Sequence, residues 1–184
     1  MKNSQIKNMV LTAMFLALGL VLPFLTGQIP QFGSMLLPMH IPVFLCGLIC
    51  SWKYGLVIGF VLPLMRSAIF HMPVMYPTAV AMAFELATYG LVVGYIYGKS
   101  KYKCIKALYK SMIPAMIIGR VVWGVAQVIL LGVGGNSFTM SAFISGAFLN
   151  AIPGIILQLV LIPVIMVALG RAKYVPLIKK KPKK

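Results

Sequence analysis

Long apolar segments alternate with short polar or charged segments along the whole chain, and this pattern predicts helices that cross a membrane. About 20 consecutive apolar residues allow a helix to span a bilayer core that is roughly 30 Å thick. Turns rich in Gly, Pro or Lys separate the apolar segments. The apolar segments predict six transmembrane helices, over residues 6–25, 39–51, 54–70, 77–97, 111–132 and 140–169. The sequence therefore predicts an all-α integral membrane protein whose residues 1–184 form a single transmembrane domain.

The distribution of Lys and Arg predicts the orientation of these helices. All but two of the 17 Lys and Arg residues lie near the N-terminus, at Lys53, after the fourth helix or in the tail 171–184. These positions share one side of the predicted bundle, and the loops 26–38, 71–76 and 134–139 on the other side carry no Lys, Arg, Asp or Glu. Because Lys and Arg collect in cytoplasmic loops, we expect both the N- and C-termini to be cytoplasmic.

The composition agrees with a membrane location and limits the partners. Hydrophobic residues make up 61% of the chain, and its mean hydropathy is +0.98. In a soluble protein, a net charge of +16 would suggest a nucleic-acid partner. Here the charges flank apolar segments, so membrane orientation explains them. The expected partner is the lipid bilayer and not a nucleic acid.

Two opposite charges are predicted to lie at similar depth inside the membrane. Glu85, the only acidic residue of the chain, interrupts the apolar run AMAFELATYG of the fourth helix, and Arg120 interrupts IIGRVVWG of the fifth. Charged residues inside membrane helices are costly, usually face the bundle interior and often mark a substrate or ion pathway. We therefore expect Glu85 and Arg120 to pair, either within a binding site or as a purely structural ion pair.

A second arginine and several polar or aromatic side chains extend this candidate site. Arg66, in PLMRSAIF of the third helix, lies nearer the outer surface, where its side chain can extend outwards or into a cavity. Two arginines against one carboxylate leave a surplus positive charge, which favours a small anionic or zwitterionic ligand held by paired N–H bonds. The other residues expected to line the site are His40, Tyr89, Trp123, Gln127 and Asn150.

The sequence lacks the residues that the common enzyme classes need. It has no phosphate-binding loop, and a single Glu without any Asp cannot supply the acidic groups of an ATPase. His40 and His71 are separated by a whole hairpin, and Cys46, Cys50 and Cys104 have no His or acid at metal-ligand spacing. We expect no enzyme activity, no catalytic residue, no metal and no cofactor.

Small residues lie one turn apart on the first helix. Ala13 and Ala17, in LTAMFLALG, have the spacing that lets a second helix approach closely in a membrane. The approaching helix belongs either to a partner protein or to the same chain.

These features together resemble a known family, the S components of energy-coupling factor (ECF) transporters, which capture vitamins for bacterial import. The resemblance covers nearly the whole chain. It rests on six helices with both ends inside, on Ala13 and Ala17, on the loop 26–38, and on the stretches LLPMHIPVFLCG, PLMRSAIF and PTAVAMAFELATYG.

The resemblance implies a substrate-binding subunit of an ABC importer in the bacterial cell membrane. Such a subunit binds a vitamin from outside and then topples in the membrane on a separate transmembrane coupling protein, which two ATPase subunits drive. It also implies that Ala13 and Ala17 face the coupling protein, and that the outer ends of helices 4 to 6 enclose the ligand with the loop 26–38.

The identity of the ligand and the source of energy stay open at this point. Pantothenate is the first expectation, because its carboxylate suits two buried arginines, whereas a pyridoxine-like vitamin or a thiamin-precursor pyrimidine would use Glu85 as a hydrogen-bond acceptor. An alternative is a stand-alone carrier in which Glu85 takes up a proton, although the chain shows no inverted repeat of the kind found in many such carriers. A structural subunit without any ligand is the remaining possibility.

Overall fold

The computed structural model describes residues 2–25, 37–133, 152–172 and 175, and these residues form six α-helices. The helices are α1 Lys2–Leu25, α2 His40–Cys50, α3 Trp52–Phe70, α4 Val80–Lys99, α5 Ile105–Val133 and α6 Ile152–Arg171, and a wide helical turn at Met75–Ala79 precedes α4. No strand occurs in these ranges, and the predicted all-α class is confirmed. Asn150, most of the loop 26–38, the turn 134–139 and the predicted beginning of the sixth helix lie outside the described residues.

The described helices differ in length, and α2 is the short one. Five segments are long and apolar enough to cross a membrane: Gln5–Phe24, Trp52–Phe70, Met75–Lys99, Ile105–Gly132 and Ile152–Arg171. In contrast, α2 has 11 residues, which at 1.5 Å per residue is about 16 Å, or roughly half of a bilayer core. All of its residues except Ile49 are buried. Since protein surrounds α2, this helix can begin inside the bundle, and its first residue, His40, is therefore an interior residue.

A one-residue turn connects α2 to α3. Only Ser51 separates the two helices, with φ 115° and ψ 161°, whereas the sequence predicted one helix that ends at residue 51 and a next helix that begins at residue 54. This positive φ is rare outside glycine, and it reverses the chain sharply enough for Trp52 to begin α3. Ser51 and Trp52 line one cavity with Lys99 and Lys103. We call this end of the bundle the basic end, and the end at which α2 and α4 begin the opposite end.

The helix α4 lies at the centre of the bundle, where it packs against α2, α3 and α5. Its contact with α3 depends on two glycines that face each other. A Cβ atom on Gly55 would lie 2.7 Å from the carbonyl oxygen of Gly90, and a Cβ atom on Gly90 would overlap the carbonyl of Gly55. Glycine at both positions allows the two backbones to touch. This close contact fixes the part of α4 that carries the candidate site.

The helix α1 lies at the edge of the bundle, against α2 and α3. Only 11% of its apolar span is buried, compared with 50% for Met75–Lys99. Its exposed face carries the large apolar side chains of Ile6, Met9, Val10, Met14, Leu18 and Val21. This face must therefore contact lipid or another protein when the helix is in a membrane.

Candidate functional site

A single buried carboxylate connects α4 to two other helices. The Glu85 Oε1 atom on α4 lies 3.1 Å from Nη1 of Arg120 on α5 and 3.8 Å from Nε2 of His40 on α2. Tyr89, one turn further along α4, donates a 2.8 Å hydrogen bond from its hydroxyl to the same oxygen. Glu85 is 1% exposed and Arg120 is 5% exposed. We call His40, Glu85, Tyr89 and Arg120 the polar cluster. The ion pair expected from the sequence is part of it.

Aromatic and glycine contacts hold the ring of Tyr89 in place. The ring stacks on Phe44 of α2, with the centroids 5.1 Å apart and the planes at 22°, and its centroid lies 5.4 Å from that of His40. On α5, Gly119 lies so close that an added Cβ atom would be 3.0 Å from Tyr89 Cζ and would overlap two other ring atoms. Packing by α2 and α5 therefore fixes the ring from which the hydroxyl reaches Glu85.

The polar cluster contains hydrogen-bonding atoms that no described residue satisfies. Nδ1 and Nε2 of His40 and Nε of Arg120 are buried and have no hydrogen-bond partner within the described ranges. An unpaired buried donor or acceptor costs about 1–3 kcal/mol, and buried polar groups in native proteins are nearly always bonded. These three nitrogens are the positions at which a bound molecule would gain hydrogen bonds.

Arg66 lies at a different contact, between α1 and α3. Its Nη1 donates a 2.6 Å hydrogen bond to the carbonyl of Leu20, and its guanidinium lies 5.2 Å from the ring centroid of Phe24 and 5.4 Å from that of Phe70. The residue is 4% exposed, so its side chain does not extend to the surface. The second arginine of the predicted site is therefore occupied by contacts within the protein.

The remaining candidates from the sequence lie on α5 and α6. Trp123 is half-buried and Gln127 is buried. They follow Arg120 along α5 by three and seven residues, respectively, and residues at these spacings lie on one helix face. Asn150 lies outside the described residues. The described part of the chain therefore brings four of the predicted residues together in the polar cluster and puts two more on the adjoining face of α5.

Sequence reasoning missed several residues that support this site or resemble its members. Phe44 follows His40 by one turn of α2, and Gly119 directly precedes Arg120, so their positions in the sequence were the available signals. Gln158 of α6 is 1% exposed, and its Nε2 has no partner among the described residues. A polar residue within the apolar run of α6 satisfies the same rule that identified Glu85.

The two small residues of α1 are both on the exposed face of that helix. Ala13 and Ala17 are exposed, next to Met14 and Leu18. The exposed faces of α5 and α6 carry bulky residues instead, namely Ile113, Ile117, Val121, Val125, Ile156, Val160 and Val164. The exposed face of α1 therefore carries two small residues one turn apart, and this spacing allows another helix to approach closely.

The polar cluster combines several kinds of hydrogen-bonding group. A carboxylate, a guanidinium, an imidazole and a phenol offer both donors and acceptors in a buried interior, where hydrogen bonds are strong. Among the described residues, no three His, Cys, Asp or Glu side chains form a group that could hold a metal ion.

The chain matches a known family model over most of its length. A family model described as "ECF transporter, substrate-specific component" matches residues 7–166, which is most of the chain. The comparisons with curated proteins and with solved structures found no match.

Proposed function

The chain belongs to the family of substrate-specific components of ECF transporters, and on this basis we propose that it captures a vitamin at the polar cluster and delivers it through the membrane. Members of this family are multi-pass membrane proteins that serve transport and are not enzymes. They act on a small-molecule substrate together with an ECF module. The proposal adds the site, the class of ligand and the mode of delivery.

The observation that carries the proposal is the polar cluster itself. Glu85 and Arg120 are both nearly inaccessible, and the cluster gathers side chains from α2, α4 and α5 around one carboxylate oxygen. A structural ion pair needs only Glu85 and Arg120. The unsatisfied nitrogens of His40 and Arg120 go beyond that need and support a ligand-binding role. Trp123, Gln127 and Asn150 complete the proposed site.

The proposed ligand is a vitamin, and pantothenate was expected first because two buried arginines suit its carboxylate. In the described residues Arg120 is paired with Glu85 and Arg66 is bonded to Leu20. These contacts weaken the argument for pantothenate and favour a pyridoxine-like vitamin or a pyrimidine, which needs no free cation.

The proposed mode of delivery uses the exposed face of α1. In this proposal the protein spans the plasma membrane of a bacterium as one transmembrane domain, with both termini in the cytoplasm, and the vitamin enters from outside. Ala13 and Ala17 dock against a separate transmembrane coupling protein, on which the subunit topples, and two ATPase subunits supply the energy. The exposure of both alanines supports this docking.

Transport by purified components tests the proposal. The protein in liposomes should take up its vitamin only when the coupling protein and both ATPases are present with ATP, because it contains no site for ATP hydrolysis. Uptake by the protein alone, driven by a pH gradient, would support the stand-alone carrier in which Glu85 takes up a proton. Absence of saturable binding of any small molecule would point to a structural subunit.

A further inference from the structure

Charge balance inside the polar cluster determines which ligands it accepts. From the geometry we infer that the molecule bound there is uncharged and offers both hydrogen-bond acceptors and a donor. This inference rests on the proposed function, since it concerns the ligand of the same site.

The first step is the balance of formal charge. One carboxylate, Glu85, faces one guanidinium, Arg120, at 3.1 Å, and both residues are at least 95% buried. His40 is 1% exposed, and burial of this kind favours the neutral imidazole over the charged form. With a neutral His40, the polar cluster carries no net charge. A ligand carboxylate would add an unbalanced anion to a buried site beside Glu85. Burying a charge without a partner is strongly unfavourable.

The second step excludes Arg66 as a counter-ion for such a ligand. Its Nη1 already donates to the carbonyl of Leu20 at 2.6 Å, and the rings of Phe24 and Phe70 lie within 5.4 Å of the guanidinium. These contacts hold the side chain at the α1–α3 interface. Recruiting Arg66 to the polar cluster would break this hydrogen bond of a charged group.

The third step is the pattern of unsatisfied nitrogens. Nε of Arg120 is a donor only, whereas the two nitrogens of a neutral His40 are one donor and one acceptor. A ligand that satisfies all three must present two acceptors and one donor. A carboxylate offers acceptors only and would leave one imidazole nitrogen unpaired. A ring nitrogen, carbonyl or hydroxyl next to an N–H or O–H group provides the full set.

Matched pairs of ligands test this selectivity directly. Panthenol is pantothenate with an alcohol in place of the carboxylate, and pyridoxine is the alcohol that corresponds to 4-pyridoxate. We expect the uncharged member of a pair that binds to have at least tenfold higher affinity than its carboxylate partner, measured by calorimetry on the purified full chain. Equal or tighter binding of the carboxylate member would overturn the inference and leave the transport function intact.

Native mass spectrometry of the freshly purified protein provides the second measurement, for the case in which neither scaffold binds. A retained small molecule that carries no net charge supports the inference, and a retained anion or cation refutes it. If no small molecule is retained and neither the four probes nor a thiamin-precursor pyrimidine binds, the proposed function itself fails, and the inference fails with it.

Removing the carboxylate of the polar cluster should change the selectivity. Glu85→Gln leaves the charge of Arg120 unbalanced, so the affinity for the carboxylate member of a pair should rise at least tenfold relative to its uncharged partner. Tyr102→Lys adds the same unit of net charge at an exposed residue of the basic end and serves as the control. A ratio that is unchanged in folded Glu85→Gln, or one that shifts equally in Tyr102→Lys, would contradict the assignment.

Discussion

The guanidinium of Arg66 on α3 donates a 2.6 Å hydrogen bond to the carbonyl of Leu20 on α1, and the rings of Phe24 and Phe70 flank it. This contact lies near the end of a helix whose apolar span is only 11% buried. A cation near a helix C-terminus is also favoured by the helix dipole. Arg66 therefore stabilises the packing of α1, which is weakly packed, against α3.

Replacing Arg66 should loosen α1. Arg66→Gln loses a hydrogen bond of a charged group, worth about 1.5–3 kcal/mol, together with its contacts to two aromatic rings. We expect a lower midpoint of thermal unfolding in detergent. Lys53→Gln is the control, because Lys53 lies over the partly exposed Trp52 ring at 5.6 Å and should matter little. Equal midpoints for Arg66→Gln and the unmodified protein would show that the contact does not stabilise α1.

The packing of Gly119 against Tyr89 should be sensitive to a single methyl group. In Gly119→Ala the new Cβ atom meets the Tyr89 ring, so the ring must move and its hydrogen bond to Glu85 should weaken. We expect lower thermal stability and weaker ligand binding. Gly132→Ala on the same helix is the matched control, since a Cβ atom there would meet no described residue within 4 Å beyond the backbone of its own helix. Normal binding and stability in Gly119→Ala would mean that Tyr89 adjusts without consequence.

Removing one charge of the polar cluster should lower the stability of the protein, whereas removing both charges should lower it much less. Glu85→Gln or Arg120→Gln leaves the other charge buried alone, and breaking a buried ion pair typically costs about 3–5 kcal/mol. The double variant Glu85→Gln/Arg120→Gln should recover much of the lost thermal stability. Thermal unfolding of all three variants measures this coupling. Additive losses in the double variant would show that the two side chains do not act as a pair.

The sequence was sufficient to predict the helices and the ion pair, but not the way in which the site is assembled. Glu85 and Arg120 stand out because each is a charge within an apolar run, and their depths follow from antiparallel neighbouring helices. The contacts of Arg66 were not predictable in the same way. Its partners Leu20, Phe24 and Phe70 belong to two helix ends, and which rings meet there depends on how α1 leans on α3.

The sequence named His40 as a residue of the site but did not give the depth at which it lies. This depth follows from the short length of α2, which begins inside the bundle with nearly all residues buried. Hydropathy alone gives an apolar segment and cannot distinguish a short buried helix from a full crossing. The position of the turn between α2 and α3 was also predicted wrongly, because the sequence does not reveal that Ser51 adopts a positive φ.

Cysteine labelling tests the proposed orientation. In a variant without Cys46, Cys50 and Cys104, a cysteine at Val74 should react with a membrane-impermeant thiol reagent in intact cells. A cysteine at Tyr102 should react only after the membrane is made permeable. Both positions are exposed, at 66% and 54%, and Tyr102 lies close to Lys99 and Lys103 of the basic end. The reverse labelling pattern would show that the basic end faces outwards, against the distribution of Lys and Arg.

Bulk on the exposed face of α1 should separate binding from transport. Ala13 and Ala17 are exposed and remain outside both buried apolar clusters of the bundle, so Ala13→Trp or Ala17→Trp should leave the polar cluster undisturbed. Ligand affinity of the purified variants should stay within about twofold of the unmodified protein, a difference of only about 0.4 kcal/mol. Uptake in liposomes that contain the coupling protein and both ATPases should be lost, because an indole prevents the close helix approach that small residues allow.

Ile117→Trp on α5 is the matched control, since Ile117 is 57% exposed and already bulky, and this variant should bind and transport normally. If both alanine variants also transport normally, the coupling protein must dock elsewhere, whereas loss of uptake in Ile117→Trp as well would show that any indole on the bundle surface interferes.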